Sequence, residues 1–277
     1  MGGEETEKTF CLTGWLRADR AEAVAKAVAE ATAVYDLQFA EPAEDEIPPS
    51  VMENTAFAAP YEAVTEMYSR PKIGSLDPSF MMAPWHFIFF GMMLSDAGYG
   101  LLLTILLFVV LKVLKPEGNA GKLVTVIFLG SISTIFWGAM FGGWFGLEFN
   151  PILLSPMNEP LKMLALCFGL GAAHIILGVC MKMYLEIKRG QIWNAIFDQL
   201  SWLIIFAGLG LMAFMPDTQV GKYLALGGMT VIILTGGRDK KNIFRRLLSG
   251  VLSLYNFSGY FSDLLSYSRL FALGLST

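Results

Sequence analysis

The sequence predicts an all-α polytopic membrane protein with a small α/β piece at its N-terminus. Three observations predict it. The chain of 277 residues is 55% hydrophobic and 16% charged, whereas a typical soluble domain is about 25% charged. Residues 1–79 hold 15 acids and 6 bases, a net −9, while residues 80–277 hold 9 acids and 14 bases, a net +5. From residue 80 the apolar residues gather into runs at 81–114, 123–147, 161–185, 196–215, 221–235 and 249–277, and about 20 apolar residues make one helical span. We therefore expect a partial cytoplasmic domain over 1–79 and a transmembrane domain over 80–277.

Within the first part, TFCLTGWL reads as a strand and DRAEAVAKAVAEATAVY as a helix. Asp19 is the expected N-cap, with Glu22 three residues on completing a capping box. Four acids and three prolines in 41–50 mark a loop. A short helix follows at about 60–69, then the breaker-rich RPKIGSLDP. Residues 1–10 are acidic and lack an apolar stretch, so no signal peptide is expected and this part should stay on the cytoplasmic side. Cys11, Cys167 and Cys180 have neither metal-binding nor disulfide-framework spacing, and the last two read as small packing residues in an apolar run.

Charge sets the expected topology, because short cytoplasmic loops are enriched in Lys and Arg. Lys112, Lys115 and Lys122 form one basic loop, Lys182, Lys188 and Arg189 a second, and Arg238, Lys240, Lys241, Arg245 and Arg246 a third. The intervening loops carry only Lys162 and Lys222. The basic balance thus belongs to loops between apolar runs and is not a nucleic-acid signal. With the N-terminal part and the 112–122 loop on the same side, run 81–114 must cross an even number of times. Ser95-Asp96-Ala97-Gly98-Tyr99-Gly100 offers the break, which gives two short helices and about seven transmembrane helices in all. Each short helix would reach only about 22 Å, so the pair should be buried in protein. Trp85, Trp144, Trp193 and Trp202 lie near run ends, as interfacial aromatics do.

An ionisable group at a membrane helix centre costs roughly 2.5–3.5 kcal/mol on insertion scales, so such groups point to function. Three lie deep in apolar runs: Asp96, His174 and Arg269. At 100° per residue, Ser258, Ser262, Ser266 and Ser276 share the Arg269 face of the last run, bordered by Leu265 and Leu273. Arginine keeps its charge when partly desolvated, so it can hold a partner carboxylate ionised and repel passing cations. The alternative is an arginine paired with a structural carboxylate, with serines bonded to their own helix. Asp96 suits either an aqueous path or a turn that binds exposed amides. His174 suits either proton relay or a neutral hydrogen bond to a neighbouring helix. Asp263 either lines an access channel or caps the serines, while Glu186 and Asp198 read as solvated at cytoplasmic helix ends. Gly227-Gly228 and Gly236-Gly237 lack the Gly-Lys-Ser/Thr that would follow in a phosphate loop. No nucleotide site, metal site or other cofactor is expected, and the chain reads as non-catalytic.

Two stretches carry a family resemblance. DPSFMMAPWHFIFFGMMLSDAGYGLLL resembles the segment where a/I subunits of V/A-type rotary ATPases (the V-type ATPase 116 kDa subunit family) enter the membrane, with Ser95 where that family usually has glycine. SYSRLFALGL is similar to the family's Ser-Tyr-x-Arg-Leu-x-Ala-Leu motif and sets its essential arginine at Arg269. GWL near residue 15, PPSVMEN, and the helix ending at Tyr68 before Arg70-Pro71 are also similar. The resemblance implies the end of a cytoplasmic arm followed by most of an eight-helix membrane domain, with the sequence stopping inside the seventh helix. It implies a stator subunit that translocates protons or Na⁺ in a bacterial or archaeal cell membrane, multi-pass, with its N-terminal part cytoplasmic. Thr277 stands where eukaryotic members often have a histidine. The implied partners are a proteolipid c/K ring, peripheral stalk subunits of E/G type, the lipid bilayer and, indirectly, the central stalk and catalytic head. Arg269 is the implied translocation residue, and Ser262, Asp263, Ser266, His174 and Asp96 are candidate half-channel lining. A secondary transporter with buried Arg, Asp and His is the rival reading, although neither SDAGYG nor SYSRL has a second copy. A purely structural scaffold would not need an arginine on a polar stripe.

Overall fold

The computed structural model describes residues 2–5, 10–43, 46, 48–71, 75–215, 217, 219–238 and 242–276. Lys240, Lys241 and Thr277 lie outside them. The chain forms two compact units, Met1–Glu53 with Ser69–Asp77, and Asn54–Tyr68 with Pro78–Thr277.

The first unit has an antiparallel hairpin of β1 (Gly2–Glu5) and β2 (Phe10–Thr13), then α1 (Ala21–Ala31). The expected capping box does not form: Arg20 occupies the N-cap without a side-chain bond. Asp19 instead sits in a tight turn at Ala18–Arg20 and accepts from Arg17 Nε at 2.9 Å, while Arg17 also pairs with Glu53. The adjacent guanidinium lowers the Asp19 pKa and diverts its carboxylate from the helix amides.

The second unit opens with α2 (Glu62–Tyr68), a short helix docked on the first membrane helices. Run 81–114 breaks where expected, into α3 (Ser79–Leu94) and α4 (Ala97–Val109), which continues as a π-helical turn to Leu114. Ser95 ends α3 in the left-handed conformation, at φ 47°. Both helices pack on α5 (Gly118–Phe141) at close range, because small residues face each other. A Cβ on Gly138 would run into the Ala97 amide. A hairpin follows, β3 (Gly143–Trp144) with β4 (Leu147–Glu148), then α6 (Pro160–Lys188).

Helix α7 (Ile192–Asn194) passes through a π-helical segment (Ala195–Leu200) into α8 (Ser201–Phe214), which pairs with α9 (Val220–Thr235). Asp198, expected to be solvated, pairs with Arg238 at 2.7 Å, and Arg238 also donates to Asn194 at 2.5 Å. Glu186 is half-buried, and its Oε2 is buried without a partner among the described residues. Two tryptophans also depart from the interfacial pattern. Trp202 is buried against Tyr260, and Trp85 stacks on His174.

The last run starts earlier than its apolar stretch and is interrupted: α10 (Ile243–Leu254), α11 (Asn256–Ser266) and α12 (Ser268–Ser276). At the joints, Tyr255 and Tyr267 keep right-handed helical angles, with tighter bonds such as Tyr267 N to Leu264 O at 3.1 Å. The chain is a helical membrane protein. Among the described residues, four helices are long and apolar enough to cross a membrane: Ala97–Leu114, Gly118–Phe141, Pro160–Lys188 and Ile192–Ala213. Ser79–Leu94 and Val220–Thr235 are shorter, and the last run is broken. Length therefore supports four spans and does not by itself establish seven.

Candidate functional site

The end of the chain has a packed face and an open one. Leu270, 7% exposed, joins Met92, Phe141, Met163 and Cys167 in a buried cluster, with Tyr267 and Phe271 packed against it. Earlier in the run, Leu254, Phe257 and Tyr260 pack on Val179, Trp202, Ile205 and Ile232. The opposite face exposes Ser258, Ser262, Leu265, Ser266, Arg269, Leu273 and Ser276, and Asp263 is exposed about 120° around the helix from Arg269. Every residue of the stripe counted at 100° per residue is exposed.

Arg269 lies in the middle of the open face. Its Nε donates to Ser266 O at 3.4 Å. Among the described residues, no carboxylate lies within ion-pair distance of it. The hydroxyls of Ser258, Ser266 and Ser276 donate to the carbonyls of Tyr255, Asp263 and Leu273 in their own helix, at 2.8, 2.6 and 2.8 Å. Those serines behave as membrane-helix serines commonly do, and they still give the face a polar character.

His174, on α6, does not reach this face. It is half-buried, and its Nδ1 hydrogen-bonds the Tyr267 hydroxyl at 2.7 Å. The Trp85 and His174 rings stack at 4.9 Å and 25°, and Phe89 lies 5.5 Å away. The sequence singled out His174 and missed Tyr267. The tyrosine stands two residues before Arg269 in the quoted motif, and it faces the opposite way.

Asp96 lies elsewhere, 2% exposed, as the N-cap of α4. It accepts the Tyr99 amide at 2.9 Å, the Phe145 amide at 2.9 Å and the Gly146 amide at 2.7 Å. Phe145 and Gly146 form the two-residue turn of the β3–β4 hairpin, with φ of 53° and 75°. Positive φ at both positions marks the turn type that suits a tight hairpin. Gly98 has no Cβ, and one there would come within 2.5 Å of the Phe145 ring. Asp96 thus binds amides from both sides of a junction, the turn role weighed from the sequence. A cavity of about 220 Å³ opens beside it, lined among others by Ser95, Glu148, Gly274 and Ser276.

The candidate residues therefore fall into separate settings. Ser262, Ser266 and Arg269 share the open face, Asp263 is exposed at its edge, His174 lies behind it, and Asp96 lies at a cavity touching the end of α12. Among the described residues, no group of three His, Cys, Asp or Glu side chains could hold a metal ion.

No protein-family model matches the chain. Curated relatives match it over nearly its whole length. The A-type ATP synthase subunit I of Pyrococcus horikoshii is 32% identical over 98% of this chain and 43% of its own length. The subunit of the same name from Methanothermobacter thermautotrophicus is 32% identical over 99% of this chain and 41% of its own. The V-type ATP synthase subunit I of Borreliella burgdorferi is 30% identical over 96% and 47%. The chain spans under half the length of these relatives. With that similarity running through both units and both membrane motifs, the chain belongs to the A-/V-type ATP synthase subunit I family.

Proposed function

We propose that the chain is part of the membrane-embedded stator of a V/A-type rotary ATPase, in which Arg269 acts on the ion-binding carboxylates of a rotating proteolipid ring. One observation carries this reading: Arg269 is a permanent cation on an open polar face whose reverse side is packed into the core. A charge held in an apolar layer is costly unless a partner compensates it. A ring carboxylate passing this face is a fitting partner. Beside Arg269 the carboxylate favours its ionised form and releases its proton or Na⁺, while the same charge bars a continuous leak.

Ser262 and Ser266 would give that face a polar path toward the ring, with Asp263 at its edge. Asp96 and the cavity shared with Glu148 and Ser276 would belong to the second path. The basic loop at 112–122 begins α5, and the β3–β4 hairpin lies at its other end, so by the positive-inside rule that cavity faces away from the cytoplasm. The bonds from Asp96 to the hairpin put the α3–α4 break at the same end, which supports two crossings and a cytoplasmic residue 79. In the whole complex, ATP hydrolysis or synthesis in a separate head would be coupled to rotation, with E/G-type peripheral stalks holding the cytoplasmic arm still. A transporter carrying its whole path in one chain would gather its intramembrane ionisable groups, and here Arg269, His174 and Asp96 stand apart.

The test is Arg269→Ala in the full-length subunit. The complex should assemble, and ATP-driven ion uptake into vesicles should fall at least about 100-fold, consistent with losing a charge that acts during transfer. Normal uptake in assembled vesicles would end this reading.

A further inference from the structure

We infer that Tyr267 and His174 form a positioning pair that fixes the rotation of α12 and thereby the direction in which Arg269 faces. This rests on the reading of Arg269 given above. At 100° per residue, Arg269 lies about 200° from Tyr267, on the other side of the helix. Whatever holds the tyrosine against the core therefore aims the arginine outward.

The tyrosine is held on several sides. A Cβ on Gly171 would come within 2.6 Å of its ring, so the absence of one makes its slot. Phe89 contacts the ring at 5.4 Å, and the hydroxyl meets His174 Nδ1 at 2.7 Å. The imidazole is itself fixed by stacking on Trp85. These contacts tie α12 to α3 and α6 at one residue.

That residue is also where the helix changes its winding. Tyr267 N bonds Leu264 O at 3.1 Å, and Leu270 N bonds Tyr267 O at 3.0 Å, both three residues apart. A tightened turn lets the segment after it rotate relative to the segment before. The exposed serines cannot oppose such a rotation, because the bonds of Ser258, Ser266 and Ser276 stay within the helix. A directional hydrogen bond at the joint opposes it, which a smooth apolar contact does less well. In this role His174 serves as a fixed hydrogen-bond partner and need not change its protonation.

The experiment uses the full-length subunit in the assembled complex, with ATP hydrolysis and ATP-driven ion uptake measured together. Tyr267→Phe removes one oxygen and keeps the ring. It should leave assembly intact and lower ions moved per ATP about 3- to 10-fold, the range for one buried hydrogen bond. His174→Ala should do the same, and the double variant should be no worse than either single one, since both remove one bond. His174→Gln, which can hydrogen-bond but does not titrate, should recover most of the uptake. Unchanged coupling in Tyr267→Phe overturns the inference. So do multiplying effects in the double variant, or loss in His174→Gln as severe as in His174→Ala, which is the pattern of a proton relay. Arg269→Ala, run in parallel, separates the two readings. If it abolishes uptake while Tyr267→Phe leaves coupling unchanged, only the positioning role fails. If it too leaves uptake normal, the reading of Arg269 fails with it.

Discussion

Asp96 shows how differently two charges in apolar runs can be used. Its carboxylate is engaged by amides of Tyr99, Phe145 and Gly146, whereas Arg269 has no carboxylate beside it among the described residues. Removing the first should therefore damage the fold, and removing the second should damage only transfer. Asp96→Ala leaves three amides without their acceptor, and we expect a loss of about 3–5 kcal/mol, from one N-cap and two further buried donors. The measurement is thermal aggregation of the detergent-solubilised protein; an unshifted midpoint would contradict the clamp. The sequence singled out Asp96 because charges in apolar runs are rare. It could not show what Asp96 binds, since Phe145 and Gly146 are 49 and 50 residues away. Arg269 was legible further, because its neighbours are local and helical periodicity alone sorts them onto a face.

Helix α2 was expected from its pattern, but its attachment was not. Glu62 pairs with Lys122 at 2.7 Å and accepts from Asn54, Glu66 accepts from Asn119, and Thr65 shares a hydrogen bond with Ser79. These contacts fix a short helix that could not hold itself, and none is visible in the local sequence. Tyr61, just before α2, is fully buried with its hydroxyl unpaired among the described residues, and burial pushes its pKa up to about 12. Since the folded value lies above the ordinary 10.0, this contribution to docking is complete below about pH 10 and fades as the pH rises toward 12. Tyr61→Phe removes that loss and an unpaired buried polar atom, so the variant should be as stable as the parent at neutral pH or more so. Limited proteolysis of segment 54–68 between pH 8 and 12 would check both; earlier cleavage in Tyr61→Phe at neutral pH would contradict the account. The capping box failed for a related reason. Asp19 had a nearer charged partner in Arg17, and the pattern S/T/D-x-x-E ignores such competition.

At the scale of the whole chain, composition and charge were enough to predict a helical membrane protein and the break in its first run. They were not enough to count spans, because helix length depends on packing that hydropathy does not report. The pairing of α3 with α4 gives a test by labelling. In right-side-out vesicles, single cysteines replacing Glu148 and Asn158 should react with an impermeant thiol reagent. Cysteines replacing Lys115 and Gly190 should react only after the membrane is opened. Labelling of Lys115→Cys from outside would reverse the proposed topology. Both membrane motifs lie in the second unit, and the similarity to subunit I relatives covers the first as well.

The glycine contacts between α3, α4 and α5 carry a mechanical consequence. Where a Cβ on Gly91 would meet the backbone of Ser133 and one on Gly138 the amide of Ala97, two helices cannot slide past each other without collision. The last run has close contacts of its own on either side of its joints, a Cβ on Gly250 meeting the Ile233 carbonyl and one on Gly274 the Met92 carbonyl. Under a sideways load the α3–α5 block is the stiff member, and the last run bends at its exposed joint, Tyr255, rather than at the clamped Tyr267.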